Sequence, residues 1–543
     1  MASGRFTESQ IREILKEHYS GASSVEILGR HGIDADTLEG WKTQYETADA
    51  TDVSRFRHLA HKTPLKEDNV APPTFEIGEL PEIVSKEARV YAVVELARRA
   101  GVPREMLNTW KVDVKHNETV VRVQPGTNRT ITFPHSYTAL QSAGTAHPST
   151  QRKRWMVPPD DHIGRYVPDF IIPFCEAATF DAPLFLAPNT EAIQCSCDLL
   201  AATLLTLSRY EEHQSSARDE HGRFPATAGL AGQQGFLDRP IVDEYGLGLE
   251  QALAYLLPGW QPANRRLRVK LSHDMDLVGI PVNLKTAVGH MLRRHNPLAV
   301  LQDLISVGCA AEPAYLQAIR AIASLSLERG LDSAVYWQAS RSSKYDSGYD
   351  PLHPKVKKVI AWLQAKRVEM GVHPGYDTFR SLDRLAAEIN ALRELLGEWP
   401  VGGRQHYLRW SPDTWRDWEA CGLAYDSTLG FADRAGFRAG TCIPYHPWLL
   451  ESNRESRLLE IPLIAMDGTL LDYMQLTPAQ SLQAVTELVA RCRTVGGVFT
   501  LLWHNSTFIE PAHRQLYTQI LDLLAGADSF DWKKEIPGYR EAA

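Results

Sequence analysis

Cysteine is scarce in this 543-residue chain, which holds seven, an odd number spread thinly. That supply gives no disulfide framework, and Cys195 and Cys197 stand too close together to form half of a usual zinc site. Long apolar runs are lacking too. The longest, around Leu199–Leu207, falls far short of the ~20 residues needed to cross a bilayer, so no transmembrane segment is expected. An excess of positive charge is also missing: Lys and Arg total 58 against 66 Asp and Glu, a formal charge of -8. This balance argues against a dominant nucleic-acid surface and leaves room for local patches. Met1-Ala2-Ser3-Gly4-Arg5 leads into a polar helix with no apolar segment, so no secretory signal is read and a reducing cytoplasm is the expected location. What is present is a globular composition, 44% hydrophobic and 23% charged, in a chain long enough for two to four domains.

A repeat lies near the amino terminus. Val25 through Lys42 aligns without gaps on Val94 through Lys111, pairing Arg30 with Arg99, Gly32 with Gly101, Leu38 with Leu107 and Trp41 with Trp110. Each copy reads as helix, Gly-containing turn, helix. The first, Phe6–Tyr45, resembles the small helix-turn-helix domains of transposase accessory proteins, which implies DNA contact. In that copy Glu8, Glu13, Glu17, Glu26, Asp34, Asp36, Glu39 and Glu46 outnumber the bases. Phosphate neutralisation supplies most of such affinity, so packing or oligomerisation is the preferred role and nucleic acid is not an expected partner. The expected units are a helix-turn-helix-like segment over 1–62, a linker over Thr63–Pro73, and a second such unit over 74–150. The second unit includes a hairpin of Thr119–Val123 and Thr130–Phe133. An α+β accessory domain over 151–262 follows. It carries a helix over Cys197–Glu212, ending in Ser208-Arg209-Tyr210-Glu211-Glu212, and then a loop Asp219–Phe224; the clustered Arg, Tyr, Glu and His of the two are read as a salt-bridged seam between domains in preference to a binding surface.

From Leu267 the pattern becomes repeated strand and helix. Strands are expected at Val269–His273, Ala334–Gln338, Val368–His373, before Arg404, at Ala424–Ser427 and at Val498–Trp503. Helices are expected at Pro354–Lys366, Leu382–Leu396, Pro412–Cys421, Pro478–Arg493 and Pro511–Leu524. This alternation predicts an α/β fold with a parallel sheet, open or closed into a barrel, whose functional groups sit at the carboxyl ends of strands. Ser272-His273-Asp274-Met275-Asp276 lies at one such end. Residues i and i+2 of an extended segment point the same way, so Asp274 and Asp276 converge, and two carboxylates that close call for a cation or a shared proton. His373 ends another strand before a Pro374-Gly375 turn, with Asp377 four residues on as a second candidate ligand or the opener of the next helix. Arg404 can hold a carboxylate ionised and oriented. His504, at the end of Val498–Trp503, suits proton donation to a leaving amine.

In order and spacing, over Leu267 to about Leu524, these motifs resemble the metal-dependent polysaccharide deacetylases, carbohydrate esterase family four. The resemblance is closest to a branch reading HDVD, LHPSY, RQHYLR, DSTLGF and LWHN. These stand here as His273–Asp276, Val372–Tyr376, Arg404–Arg409, Asp426–Phe431 and Leu502–Asn505. A domain similar to 155–262 usually precedes the catalytic one in that branch. The resemblance implies a deformed (β/α) barrel over 266–530 that removes an N-acetyl group from a sugar or glycan precursor. It further implies Asp274 as general base, Asp276 and His373 as ligands of a divalent metal, zinc or another ion, and Arg404 as tether of Asp274. His504 would be the general acid, the Tyr407 backbone N–H an oxyanion donor, and Asp426 a polar support. One departure stands out: the family places a second His four residues after the first, where this chain has Asp377. Two carboxylates and one imidazole still suit a divalent ion. The alternatives are a weak site, a ligand taken from His353 or His406, or an inactive relative that binds carbohydrate or acts as a scaffold. A DNA-associated protein working through the amino-terminal repeat is the remaining rival.

Overall fold

The structure, a computed structural model, describes residues 31, 84–136, 150–155, 167, 169–174, 182–280, 312–340, 343–346, 349–397 and 401–535. The chain divides into two compact units, Met1–Gly78 and Glu79–Ala543. Apart from residue 31, the first repeat copy and the linker Thr63–Pro73 lie outside the described residues, and the architecture below is that of the second unit.

Its first layer is a five-stranded sheet in the order Lys111–Val114, Glu118–Arg122, Thr130–Pro134, Ala192–Cys195, Phe185–Asn189. The expected hairpin is the antiparallel pair Glu118–Arg122 with Thr130–Pro134. Thr130–Pro134 in turn runs parallel to Ala192–Cys195, so this sheet takes strands from both sides of residue 150. The helices Lys86–Arg99, Leu199–Leu207 and Ile241–Leu256 pack on one another in the same core. Gly246 makes the closest approach possible, since a Cβ there would lie 2.5 Å from the Arg99 carbonyl carbon. The second repeat copy is therefore built into this layer: its first helix ends at Gly101 (φ +75), Arg104–Leu107 makes one turn, and Lys111 enters a strand. The helix expected over Cys197–Glu212 is broken at Arg209 (φ +55), whose guanidinium turns to Glu211 and Glu212.

The carboxyl-terminal half is a parallel sheet in the order Glu369–Val372, Ser333–Trp337, Arg268–Asp274, Val498–Leu502, Ala465–Met466, with Asp528–Ser529 also pairing Arg268–Asp274. Arg268–Asp274 is buried along almost its whole length, as a central parallel strand covered on both faces must be. Single parallel bridges, Val372 to Gly403 and Gly403 to Asp426, extend the ladder to Tyr425–Asp426 and Leu459–Glu460. Gly403 is required there, because a Cβ would lie 1.8 Å from the Val372 carbonyl oxygen. Leu459–Glu460 and Ala465–Met466 form the two ends of this series. Among the described residues no ladder joins them, so the expected α/β architecture is present while a closed barrel is not. The helices begin where proline and hydroxyl side chains put them. Pro354, Pro412, Pro478 and Pro511 open four, and Thr477 with Gln480 forms a capping box.

Asp426 and Glu460 are register neighbours on paired strands, both fully buried. Asp426 Oδ1 accepts from the Thr428 N–H at 2.8 Å and Glu460 Oε2 from the Trp415 indole at 2.7 Å, leaving Asp426 Oδ2 and Glu460 Oε1 without a partner. Burial raises the pKa of both, and in Glu460 the Asp426 charge raises it further. The folded pair thus keeps a proton that the unfolded chain releases above about pH 4. Its stabilising share is complete below that pH and is lost as pH rises through the folded pKa. Glu460→Gln replaces the shared proton with an amide N–H. Its thermal midpoint is expected to exceed wild type by roughly 2–4 °C at pH 8, about 1 kcal/mol for a large domain, with the two curves converging towards pH 4. Parallel midpoint-against-pH curves would show that no proton is shared.

Candidate active site

Asp274 closes the central strand and Asp276 follows two residues on, and both line one cavity of about 300 Å³. Asp274 Oδ1 accepts from Arg404 Nη1 at 3.0 Å. Arg404 is fully buried, and its other N–H groups go to the Ser427 carbonyl (2.8 Å), Ser427 Oγ (3.1 Å) and Ser272 Oγ (3.0 Å). A guanidinium held at four points fixes the carboxylate it binds.

His373 follows the strand Glu369–Val372, and its Nδ1 lies 2.7 Å from the Arg404 carbonyl. A carbonyl can only accept, so the ring proton sits on Nδ1 and Nε2 offers a lone pair. That lone pair faces Asp276 Oδ1 at 3.1 Å, and both atoms are buried without a hydrogen-bond partner. Two acceptors this close require positive charge between them. A second proton on His373 is one source: burial lowers that pKa, but Asp274 and Asp276 together raise it above the ordinary value. A third donor points instead to a cation. His406 gives its Nδ1–H to Asp346 at 2.8 Å, leaving Nε2 directed at Asp276 Oδ1, 3.7 Å away. The donor atoms of Asp276, His373 and His406 all lie within 4.8 Å of one another. Burial would raise the Asp276 pKa, yet His406, His504 and His373 hold it far below the usual carboxylate range. A carboxylate and two imidazoles, each turned by a hydrogen bond at Nδ1, fit a divalent metal such as zinc.

His504 follows the strand Val498–Leu502 across the cavity. Its Nδ1–H goes to Asp467 Oδ1 at 2.7 Å, its backbone N–H to Asp467 Oδ2 at 2.8 Å, and its Nε2 stands 3.6 Å from Asp276 Oδ2. Burial pulls the imidazole pKa down, but Asp467, followed by Asp276 and Asp274, pushes it up to about 10. With Nδ1 spent on Asp467, Nε2 is the ring atom presented to the cavity. His273 behaves in the opposite way. Burial takes it down to about 4, its Nδ1–H is spent on the Trp503 carbonyl at 2.8 Å, and it stays a neutral core residue.

Tyr407 lies in a 3-10 turn, His406–Leu408, with φ +62, and Leu408 follows at φ +52. Two successive non-glycine residues in this region are strained, and the turn brings His406 and Tyr407 to the cavity wall. Asp426 does not reach the cavity. It accepts from Thr428, whose Oγ1 receives the Gln405 N–H at 3.0 Å, and so supports the Arg404–Tyr407 segment from behind. Asp377 stands apart from the three donors. It lies in the turn Tyr376–Thr378, with its carboxylate 3.7 Å from Arg384 Nη1. His353 is likewise outside the cluster, since its Nδ1 caps a helix by accepting from the Lys355 N–H. The motifs brought Asp274, Asp276, His373, Arg404, Tyr407 and His504 to notice. They did not single out Asp346 and Asp467, which orient His406 and His504, or Arg223, which lines the cavity from the accessory layer. His406, inside the Arg404–Arg409 motif, is one of the two alternatives to Asp377 that the sequence offered, and it is the one that converges on Asp276 and His373.

A family of unknown function (DUF7033) matches residues 88–258, and a family described as transposase matches residues 1–68. A Rhizobium sp protein, the insertion element ISR1 uncharacterized 10 kDa protein A3, is 36% identical over 59 residues, covering 11% of this chain and 67% of that protein. Solved structures similar to part of the chain include a putative polysaccharide deacetylase from Mycobacterium smegmatis, 16% identical at a TM-score of 0.38, covering 52% of this chain and 93% of that one. Puue allantoinase is 15% identical at 0.36 (52% and 94%). A probable polysaccharide deacetylase from Pseudomonas aeruginosa PAO1 is 17% identical at 0.35 (52% and 95%). Likenesses at these scores carry no weight on chemistry, which the side-chain geometry alone supplies. The transposase match weighs against the charge-based expectation that nucleic acid is not a partner. Through its amino-terminal segment, the chain belongs to the same family as the Rhizobium insertion-element protein.

Proposed function

We propose that residues 266–530 form a metal-dependent deacetylase that hydrolyses the N-acetyl amide of a sugar or glycan precursor. The observation that carries this reading is the unpartnered facing of His373 Nε2 and Asp276 Oδ1, with His406 converging on them. A divalent ion held by Asp276, His373 and His406 would supply Lewis acidity to water and to an amide carbonyl. The chain's own groups do the rest. Asp274, held through Oδ1 by Arg404, takes the proton of the attacking water. The Tyr407 turn offers a backbone N–H to the oxygen that gains charge as the carbonyl carbon becomes tetrahedral. When the C–N bond breaks, Nε2–H of His504 protonates the leaving nitrogen, so acetate and a free amine result. Asp467 keeps that proton aimed into the cavity.

The transposase match favours a second activity alongside the first, DNA contact through residues 1–68.

Acetate release from a panel of N-acetylated sugars is expected for wild type, with a loss of roughly 10²–10⁴-fold in Asp274→Asn. Equal rates would remove Asp274 as the base. His504→Ala is expected to lose turnover while keeping its metal. Mass spectrometry of the purified protein should find about one divalent ion per chain, lost in His406→Ala and retained in Asp377→Ala. The reverse pattern would make Asp377 the ligand and His406 a bystander. For DNA, the full chain titrated with duplex at falling salt should bind with an affinity that weakens steeply as salt rises. Absence of binding at the lowest salt would discard that reading.

A further inference from the structure

The loop Asp219–Phe224 belongs to the stretch matched by the family of unknown function, yet it grips the catalytic turn His406–Arg409 at three points. Arg223 Nη1 donates to the Tyr407 carbonyl at 3.1 Å, the His221 ring packs on the Tyr407 ring at 4.7 Å, and Arg409 Nε donates to the His221 carbonyl at 2.8 Å. The loop is itself rigid. Asp219 Oδ1 accepts from the backbone N–H groups of His221 (2.9 Å) and Arg223 (2.8 Å), while Asp219 Oδ2 takes Arg223 Nε at 2.7 Å. On its far side Phe224 is buried against Phe431 and Leu237. Arg223 is 7% exposed, and its Nη2 reaches the Tyr473 hydroxyl at 3.1 Å across the cavity wall. All three of its nitrogens are thus engaged by the protein, and Asp219 offsets its charge, so capture of a substrate anion is not its main task.

What needs holding is the turn. Tyr407 and Leu408 both occupy the left-handed region, a conformation that persists only where the surroundings enforce it. The same turn carries His406 and the Tyr407 backbone. We infer that the accessory layer is part of the active site, with Arg223 as a positioning residue that fixes the Tyr407 turn in its strained, oxyanion-binding conformation. This rests on the deacetylase reading for its catalytic consequence, but its structural content does not.

The test is Arg223→Ala in the full chain, followed by amide hydrogen exchange across residues 404–410 and by kinetics. Faster exchange at Tyr407 and Leu408, with metal content and melting temperature unchanged, is the expected result. Turnover should then fall roughly 10- to 100-fold in kcat with KM little altered, and millimolar guanidinium should restore part of it. Asp219→Asn, which loosens the same clamp from behind, should show a weaker form of both effects. Unchanged exchange in the turn overturns the inference whatever the substrate, as does a rise in KM at constant kcat. Faster exchange in a protein whose wild type releases no acetate leaves the clamp standing and removes the deacetylase reading instead.

Discussion

Everything at this site follows from where three imidazole protons are. Arg404 offers a carbonyl to His373, Asp346 a carboxylate to His406 and Asp467 a carboxylate to His504, each at Nδ1. Each bond draws a proton to the outer side of its ring and turns Nε2 inward. Inward, the three rings meet one carboxylate, Asp276. Two of them face it as lone pairs, and the third is a ring whose pKa Asp467 and Asp276 raise. Such an arrangement places a cation-seeking group beside a proton donor in one cavity, the division of labour that amide hydrolysis requires.

The scaffold serves this arrangement by burying its second layer. Arg404 can fix Asp274 because it is wholly enclosed, with its remaining donors satisfied by Ser272 and Ser427. The seam between the accessory layer and the carboxyl-terminal half is built on the same principle. Glu212 receives Arg438 at 2.9 and 2.6 Å and Arg209 at 2.9 Å, all buried. Arg99 binds Asp243 at 2.9 Å, while Asp243 Oδ2 accepts the Cys442 N–H at 2.7 Å. Removing one partner from pairs like these costs about 3–5 kcal/mol by stranding a buried charge. The two layers therefore keep a fixed relation, which a turn clamped from one layer and used in the other demands.

How much of this was legible in the sequence depends on how regular the local geometry is. Asp274 with Asp276, and His504 at the end of its strand, were legible because a strand repeats every two residues. The helix starts were legible because proline and hydroxyl caps mark them. Leu459–Glu460 and Ala465–Met466 were not, since two residues carry no periodicity, and Asp467 stayed hidden with them. Asp377 against His406 turned on a detail that spacing cannot express. At Gly375 the chain runs so close to Ser340 and Asp346 that a Cβ would collide with both, and the short turn beyond it sends Asp377 towards Arg384. The loop Asp219–Phe224 read as a seam, and it is one, but it also reaches the cavity lined by Asp274, Asp276 and His373 through Arg223.

The central claim is that Asp276, His373 and His406 grip one divalent cation. X-ray absorption at the metal edge of the purified, metal-loaded protein tests it most directly. Two imidazole nitrogens and carboxylate oxygen in the inner coordination sphere, in wild type and in Asp377→Ala alike, is the result this account predicts. A sphere with a single imidazole in the wild type, or a protein that loads no metal at all, would contradict it.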